Sequence, residues 1–438
     1  MLFSDLSSAI PDHPLRLAER AIDPYWDDIW ASGGSASWLN TDQAASQTAA
    51  GLGRLPARLN MDEKEAWADL IDPKSYQRQA KLNVLGALDH WRTLTAEQLA
   101  LFADAPKIAN GHSRIMKQMF ASGMSDVGIF NNGLISSRSA EIGTLYRPAG
   151  TNLFERKLAP TLTYQEWLSV TGGLPFEHRQ QFDRHNLLAS ELALRVAEFC
   201  NPATVLGEKL STMHSLAFES WGGMAPNFGY SRAADLTVVR EDGLRVAVEV
   251  TASAGKSFEL KVENWCKLLG QKRLADIGLV LVFVVAAPAR STSGLLTSVR
   301  KRVARIAKLY PGLKHDQTAN RIAVVDWRDW FPAPGEVHPG FATLDSWFYS
   351  TDDDGAAGWV KRSVFDMFDL MYNPTPGRHP MDVVAGASAL RSTPPWLRTG
   401  AAESINYVLD TAGLRSLMPT QEHGFGATLP TRLRARLA

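Results

Sequence analysis

Cysteine is scarce in this chain: Cys200 and Cys266 are the only two in 438 residues. Two thiols make no disulfide framework, which argues against a small stapled secreted fold and for a reducing cytoplasm. Charge of one sign is lacking as well, because 46 Lys and Arg balance 46 Asp and Glu. A globally basic nucleic-acid protein is therefore not expected, although local basic patches stay open. The longest apolar run, Ile277–Ala287, is too short to span a bilayer and suits a buried strand. No membrane association is expected. The opening residues lack the basic start and apolar core of a secretory leader. The ten histidines show no zinc-type spacing. Internal repeats and long low-complexity tracts are missing too.

What is present reads as a soluble α/β protein of two to four domains. Residues 1–75 are expected to form a loose arm with short helices, whose Trp26, Trp30 and Trp38 suggest that it packs on something. Residues 76–150 look compact. Leu82, Leu85 and Leu88 mark one helix, and Thr95 with Gln98 forms a capping-box pattern for a second. In a third, Ile115, Met116, Met119 and Phe120 face inward, Arg114 and Lys117 face outward, and Gly123 closes the end. Two strand-like runs around Asn131-Asn132-Gly133 follow. Three helices and a hairpin is a winged helix-turn-helix order, which makes Arg114 and Lys117 candidate DNA contacts. A small helical domain without DNA contact fits the same pattern.

Residues 180–335 run helix (185–200), hairpin, helix, strand, helix (297–310), strand (321–327), an α/β layer arrangement. The hairpin is AADLTVVREDGLRVAVEVTAS, residues 233–253. A three-residue loop, Glu241-Asp242-Gly243, pairs Arg240 with Leu244 and therefore Asp235 with Glu249. Two carboxylates then sit side by side on one face, with Thr251 one pleat along. A two-residue loop would put them on opposite faces. Like charges so placed repel unless a cation lies between them, and a divalent metal is the economical choice. A half-exposed hairpin also accommodates isolated surface acids.

Other features admit plainer readings. AGKS (254–257) follows a strand, but Val250 stands where a phosphate-binding loop needs Gly. Arg300, Lys301, Arg302, Arg305 and Lys308 make a basic helix, with Val299, Val303, Ile306 and Tyr310 on its apolar stripe. Arg300, Arg302 and Arg305 are candidates to track a DNA backbone, or else form a solvated face. Glu191 reads as a polar helix position, and Lys267 as a solvated one. From 336 to 438 a mostly helical extension is expected, with helices at 360–371 and 401–417 and an Arg-tipped tail (Arg432, Arg434, Arg436).

Helix, a hairpin with an acid on each strand, helix and strand together resemble the PD-(D/E)xK nuclease superfamily. Within it, LTAEQLALF, HNLLASEL, GEKLS, AADLTVV and VAVEVTAS resemble the replication-relaxation family of plasmids and other mobile elements, over about residues 76–330. That family joins a winged helix to a nuclease-like domain. The resemblance implies that Asp235 and Glu249 bind Mg²⁺ or Mn²⁺, with Glu208 of GEKLS as an upstream acid. The usual lysine two residues after the second acid is Thr251 here, and Ala234 replaces the usual proline. Some superfamily members supply the lysine from the next helix. Lys261 suits that role, with an aromatic, Trp265, four residues on, and Lys256 suits it less well. The implied function is a DNA-binding, metal-dependent endonuclease in mobile-element DNA processing or in defence. The alternatives are a non-catalytic DNA-binding scaffold on a degenerate nuclease fold, and a protein–protein adaptor working through the Trp-rich flanks.

Overall fold

The computed structural model describes residues 20–376, apart from 28, 31–34, 53–54, 56–58, 110–112, 132–143, 173, 178–181, 201, 218–232, 289–293 and 352–356. The protein is mixed α/β and divides into two compact units, with the boundary between Glu191 and Leu192.

The first unit contains β1 (Ser35–Leu39), α1 (Thr41–Ala49), α2 (Glu63–Ile71), α3 (Arg78–Trp91), β2 (Leu94–Thr95), α4 (Ala96–Phe102), α5 (Arg114–Ala121), β3 (Ser125–Asn131), β4 (Thr144–Pro148) and α6 (Tyr164–Thr171). Its sheet runs β1-β3-β4-β2. Thr95 starts α4 as expected: its hydroxyl accepts from the Gln98 N–H, and the Gln98 side chain accepts from the Thr95 N–H. α5 buries Ile115, Met116, Met119 and Phe120, and Gly123 follows it in the left-handed region at φ 69°. The turn expected around Asn132 and Gly133 lies outside the described residues.

The segment expected as an arm contributes a strand. β1 pairs with β3, which sets Trp38 opposite Gly128. A Cβ on Gly128 would lie 2.6 Å from the Trp38 ring, so only glycine admits the indole. Arg147 stacks on that ring at 4.0 Å, and Trp38 Nε1 donates to Asp183 at 3.0 Å. Trp38 therefore packs within this unit.

α7 (Asp183–Phe199) runs through the boundary. Beyond it come β5 (Thr204–Gly207), β6 (Leu236–Val239), β7 (Arg245–Thr251), α8 (Lys256–Gln271), β8 (Leu279–Val285), α9 (Leu295–Leu309), the short pair β9 (Gly312–Leu313) and β10 (Asp316–Gln317), then β11 (Ile322–Asp326), β12 (Asp345–Thr351) and β13 (Ala357–Ser363). The main sheet has the order β13-β12-β11-β8-β7-β6-β5. Its centre, β7-β8-β11, is parallel, and both flanks are antiparallel. The unbroken apolar run of β8 suits a strand buried on both faces. On one face, Ala247, Leu281, Phe283, Val285 and Val324 pack with Phe258, Val262, Trp265 and Leu269 of α8 and with Val299, Val303 and Ile306 of α9.

Two expectations fail downstream. No helix spans 360–371; β13 occupies its first part and turns follow. Over the described residues 336–376, the extension is a strand pair with turns, not mostly helical. The physical reason is cross-strand pairing. AGWVKRS pairs antiparallel with DSWFYST, setting Trp359 opposite Tyr349, and β12 pairs with β11, so this hairpin adds to the sheet as two further strands. The helix expected at 401–417 and the Arg-tipped tail lie outside the described residues. No described helix is long and apolar enough to cross a membrane.

Candidate active site

The hairpin register is the one the three-residue loop requires. The Arg240 N–H donates to the Leu244 carbonyl at 2.8 Å, the Gly243 N–H donates to the Arg240 carbonyl at 2.9 Å, and Gly243 has φ 83°. Val239 opposes Arg245 and Leu236 opposes Val248. Asp235, one residue before Leu236, therefore falls beside Glu249. Asp235 is half-buried, and its Oδ2 accepts the Val250 N–H at 2.6 Å.

Glu249 has no exposed surface. Its side chain lies on the face that α8 covers. Lys261 and Trp265 are four residues apart, so one face of α8 presents both. Lys261 Nζ donates to Glu249 Oε2 at 2.6 Å, and Trp265 Nε1 donates to Oε1 at 2.8 Å. Burial raises the Glu249 carboxyl to about 7. The Lys261 charge pulls it back, the Asp235 charge pushes it up again, and the two donated hydrogen bonds oppose the rise. The lysine side chain keeps a quarter of its surface in water (28 %), so its charge is partly solvated while the acid's is not.

The other candidates separate. Thr251 is buried in the ladder, where its carbonyl accepts from the Ala286 N–H, and so takes a structural place. Lys256 is exposed at the start of α8. Lys267 pairs with Glu263 at 2.8 Å on the surface of α8. Glu208 opens a 3-10 turn directly after β5, one residue past the Gly207–Leu236 pair. Among the described residues no group of three or more His, Cys, Asp or Glu ligands occurs. Glu191, read as a plain polar helix position, is instead a buried partner. It accepts from Arg20 at 2.9 Å and from Gln98 at 3.2 Å.

The expected DNA contacts also divide. Arg114 is two-thirds exposed and lies 3.3 Å from Glu65 of α2, which packs against α5. Lys117 is half-buried on the same helix. Arg302 and Arg305 both engage Oε1 of Glu259, at 3.0 and 2.8 Å. Arg300 lies over the rings of Trp347 and Trp359 at 4.8 and 5.3 Å. The basic run of α9 thus has partners that its own sequence does not reveal. The aromatic run Trp347-Phe348-Tyr349 of β12 was the available signal for Trp347.

Comparison with models of protein families, with curated proteins and with solved structures found no match to this chain.

Proposed function

We propose that the chain is a DNA-binding protein that acts on DNA as a metal-dependent endonuclease, with a winged helix in residues 76–150 and a PD-(D/E)xK-like domain in residues 180–335. One observation carries this reading: a buried Glu249 held by Lys261 from the following helix, beside Asp235 at the head of the neighbouring strand. The element order α7, β5-β6-β7, α8, β8 agrees with it. So does the lysine's place, since the strand position that normally carries one is Thr251.

The donor set fits a hard divalent cation. Two carboxylates side by side offer oxygen ligands, and a carboxylate oxygen that accepts one hydrogen bond, as Oε1 and Oε2 of Glu249 and Oδ2 of Asp235 do, keeps a further lone pair for a cation. Asp235 and Glu249 would hold Mg²⁺ or Mn²⁺, which supplies phosphate polarisation and a bound water of lowered pKa. Lys261 would hold the attacking water or balance charge developing on the phosphate. Trp265 fixes the Glu249 rotamer. Arg114 and Lys117 of α5 would contact the DNA backbone. The setting would be mobile-element DNA processing or defence.

A second reading has its own support. Both oxygens of Glu249 already accept hydrogen bonds from the protein, as they would in a DNA-binding scaffold that keeps the nuclease fold without its chemistry. Incubating the protein with supercoiled, linear and single-stranded DNA in Mg²⁺, Mn²⁺ or EDTA separates the two. Metal-dependent cleavage that vanishes in Glu249→Ala supports the endonuclease. No cleavage, together with a salt-sensitive gel shift lost on changing Arg114 and Lys117, supports the scaffold.

A further inference from the structure

The hairpin of β12 and β13 turns one face toward α9. Its register pairs Trp347 with Lys361 and Tyr349 with Trp359, so these four side chains share that face. Phe348, on the opposite face, is wholly buried. α9 runs two cations along the aromatic face, eight residues apart. Arg300 reaches the rings of Trp347 and Trp359, and the Lys308 ammonium lies 5.5 Å from the Tyr349 ring. Tyr349 and Trp359 meet edge to face at 5.5 Å.

The three rings are only half-buried, and Lys308 and Lys361 are exposed. Trp359 packs in part against the core beneath α9, and the ring surface left in water alternates with positive charge at the edge of the sheet. Lys361, itself exposed, pairs at 3.3 Å with the half-buried Asp345, and its outward ammonium remains open to a phosphate. Arg300, fixed between two tryptophans, offers a cation already in place. Unstacked bases present ring faces to aromatics, and the phosphates between them call for cations at intervals. A duplex hides its base faces within its own stack.

We propose that the face formed by Trp347, Tyr349, Trp359, Arg300, Lys308 and Lys361 binds single-stranded nucleic acid, with bases on the rings and phosphates on the cations. This goes beyond the cleavage reading and does not rest on it. Glu249 and Lys261 belong to β7 and α8, so an inert metal site leaves this surface intact.

Fluorescence anisotropy of labelled oligothymidylate and oligouridylate, with a duplex of equal length as control, tests the idea on the full chain. The wild type should bind the single strands with an affinity that falls as salt rises. Lys308→Glu and Tyr349→Ala should each weaken binding about tenfold. Thermal melting guards against misfolding. If Tyr349→Ala melts early, the exposed Lys308→Glu decides. Single strands that bind no better than the duplex, or a Lys308→Glu protein of unchanged melting temperature and unchanged affinity, would overturn the proposal. A preference for thymidylate or uridylate tells DNA from RNA.

Discussion

Lys261 Nζ lies 2.6 Å from Oε2 of Glu249, joining a partly solvated ammonium to a carboxyl that water does not reach. The pair crosses from α8 to β7, the strand next to the one Asp235 precedes. Its geometry follows from two local facts, the register of a three-residue turn and a four-residue step along a helix. Its energetics follow from burial, because the acid has given up hydration that one lysine and one indole N–H only partly replace.

Stability should therefore depend on pH through Glu249. The folded carboxyl keeps its proton up to about 7, against 4.5 ordinarily. Between those values the folded state binds more protons than the unfolded state, so this group's contribution is fully present below about pH 4.5. It is lost as pH rises through about 7. Urea unfolding between pH 5 and 8 should show wild-type stability declining relative to Glu249→Gln, which cannot ionise. Parallel pH dependences for the two proteins would refute the assignment.

Metal binding should carry the opposite slope. A cation at Asp235 and Glu249 requires the ionised glutamate, so binding releases a proton wherever the carboxyl is protonated. The rise in melting temperature caused by millimolar Mg²⁺ or Mn²⁺ should grow from pH 6 to pH 8 and disappear in Glu249→Gln. A metal-induced shift of equal size at both pH values would place the ion elsewhere.

The two donors to Glu249 should differ in weight. Lys261→Met leaves a buried acid without its counter-charge, which costs about 3–5 kcal/mol where the acid is ionised and less where it is protonated. Trp265→Phe removes one hydrogen bond to the carboxylate, about 1–3 kcal/mol, and adds the cost of the cavity that the smaller ring leaves in the core. In a double-mutant cycle at pH 8, adding Glu249→Gln should recover much of the Lys261→Met loss. Additive effects would mean that the lysine and the acid do not interact in solution.

The turn and the capping box were legible in the sequence because each is set by neighbours in the chain. Glu241-Asp242-Gly243 fixes one register, and Thr95 with Gln98 closes one helix start. Lys261 and Trp265 came instead from the family resemblance, with the four-residue helical step placing both on one face of α8. The burial of Glu249 was not, because it depends on α8 covering the sheet, and alternation alone equally allows a wet face. The partners of α9 were hidden by distance: Glu259 stands 43 residues before Arg302, and Trp347 and Trp359 lie far downstream. The β12–β13 hairpin was missed because its strands take their place from the edge of β11, which no local pattern announces.

The last prediction concerns α2 and α5. α2 begins with Glu63 and Glu65 and packs against α5, where Glu65 Oε1 lies 3.3 Å from Arg114 Nη2. Both side chains are more than half exposed, so the pair adds little to stability, about 0–1 kcal/mol. It does, however, occupy the guanidinium that the proposed function assigns to a DNA phosphate. Releasing it should help binding more than it harms folding. Glu65→Gln should tighten duplex DNA binding a few-fold at low salt with no change in melting temperature. Arg114→Ala should weaken binding and reduce its salt dependence by about one phosphate contact. In the double variant the gain from Glu65→Gln should vanish, because the glutamate then has no arginine to compete for. A gain that persists without Arg114 would point to general charge repulsion by α2 instead of this one contact. An affinity indifferent to both changes would remove α5 from the DNA-binding surface.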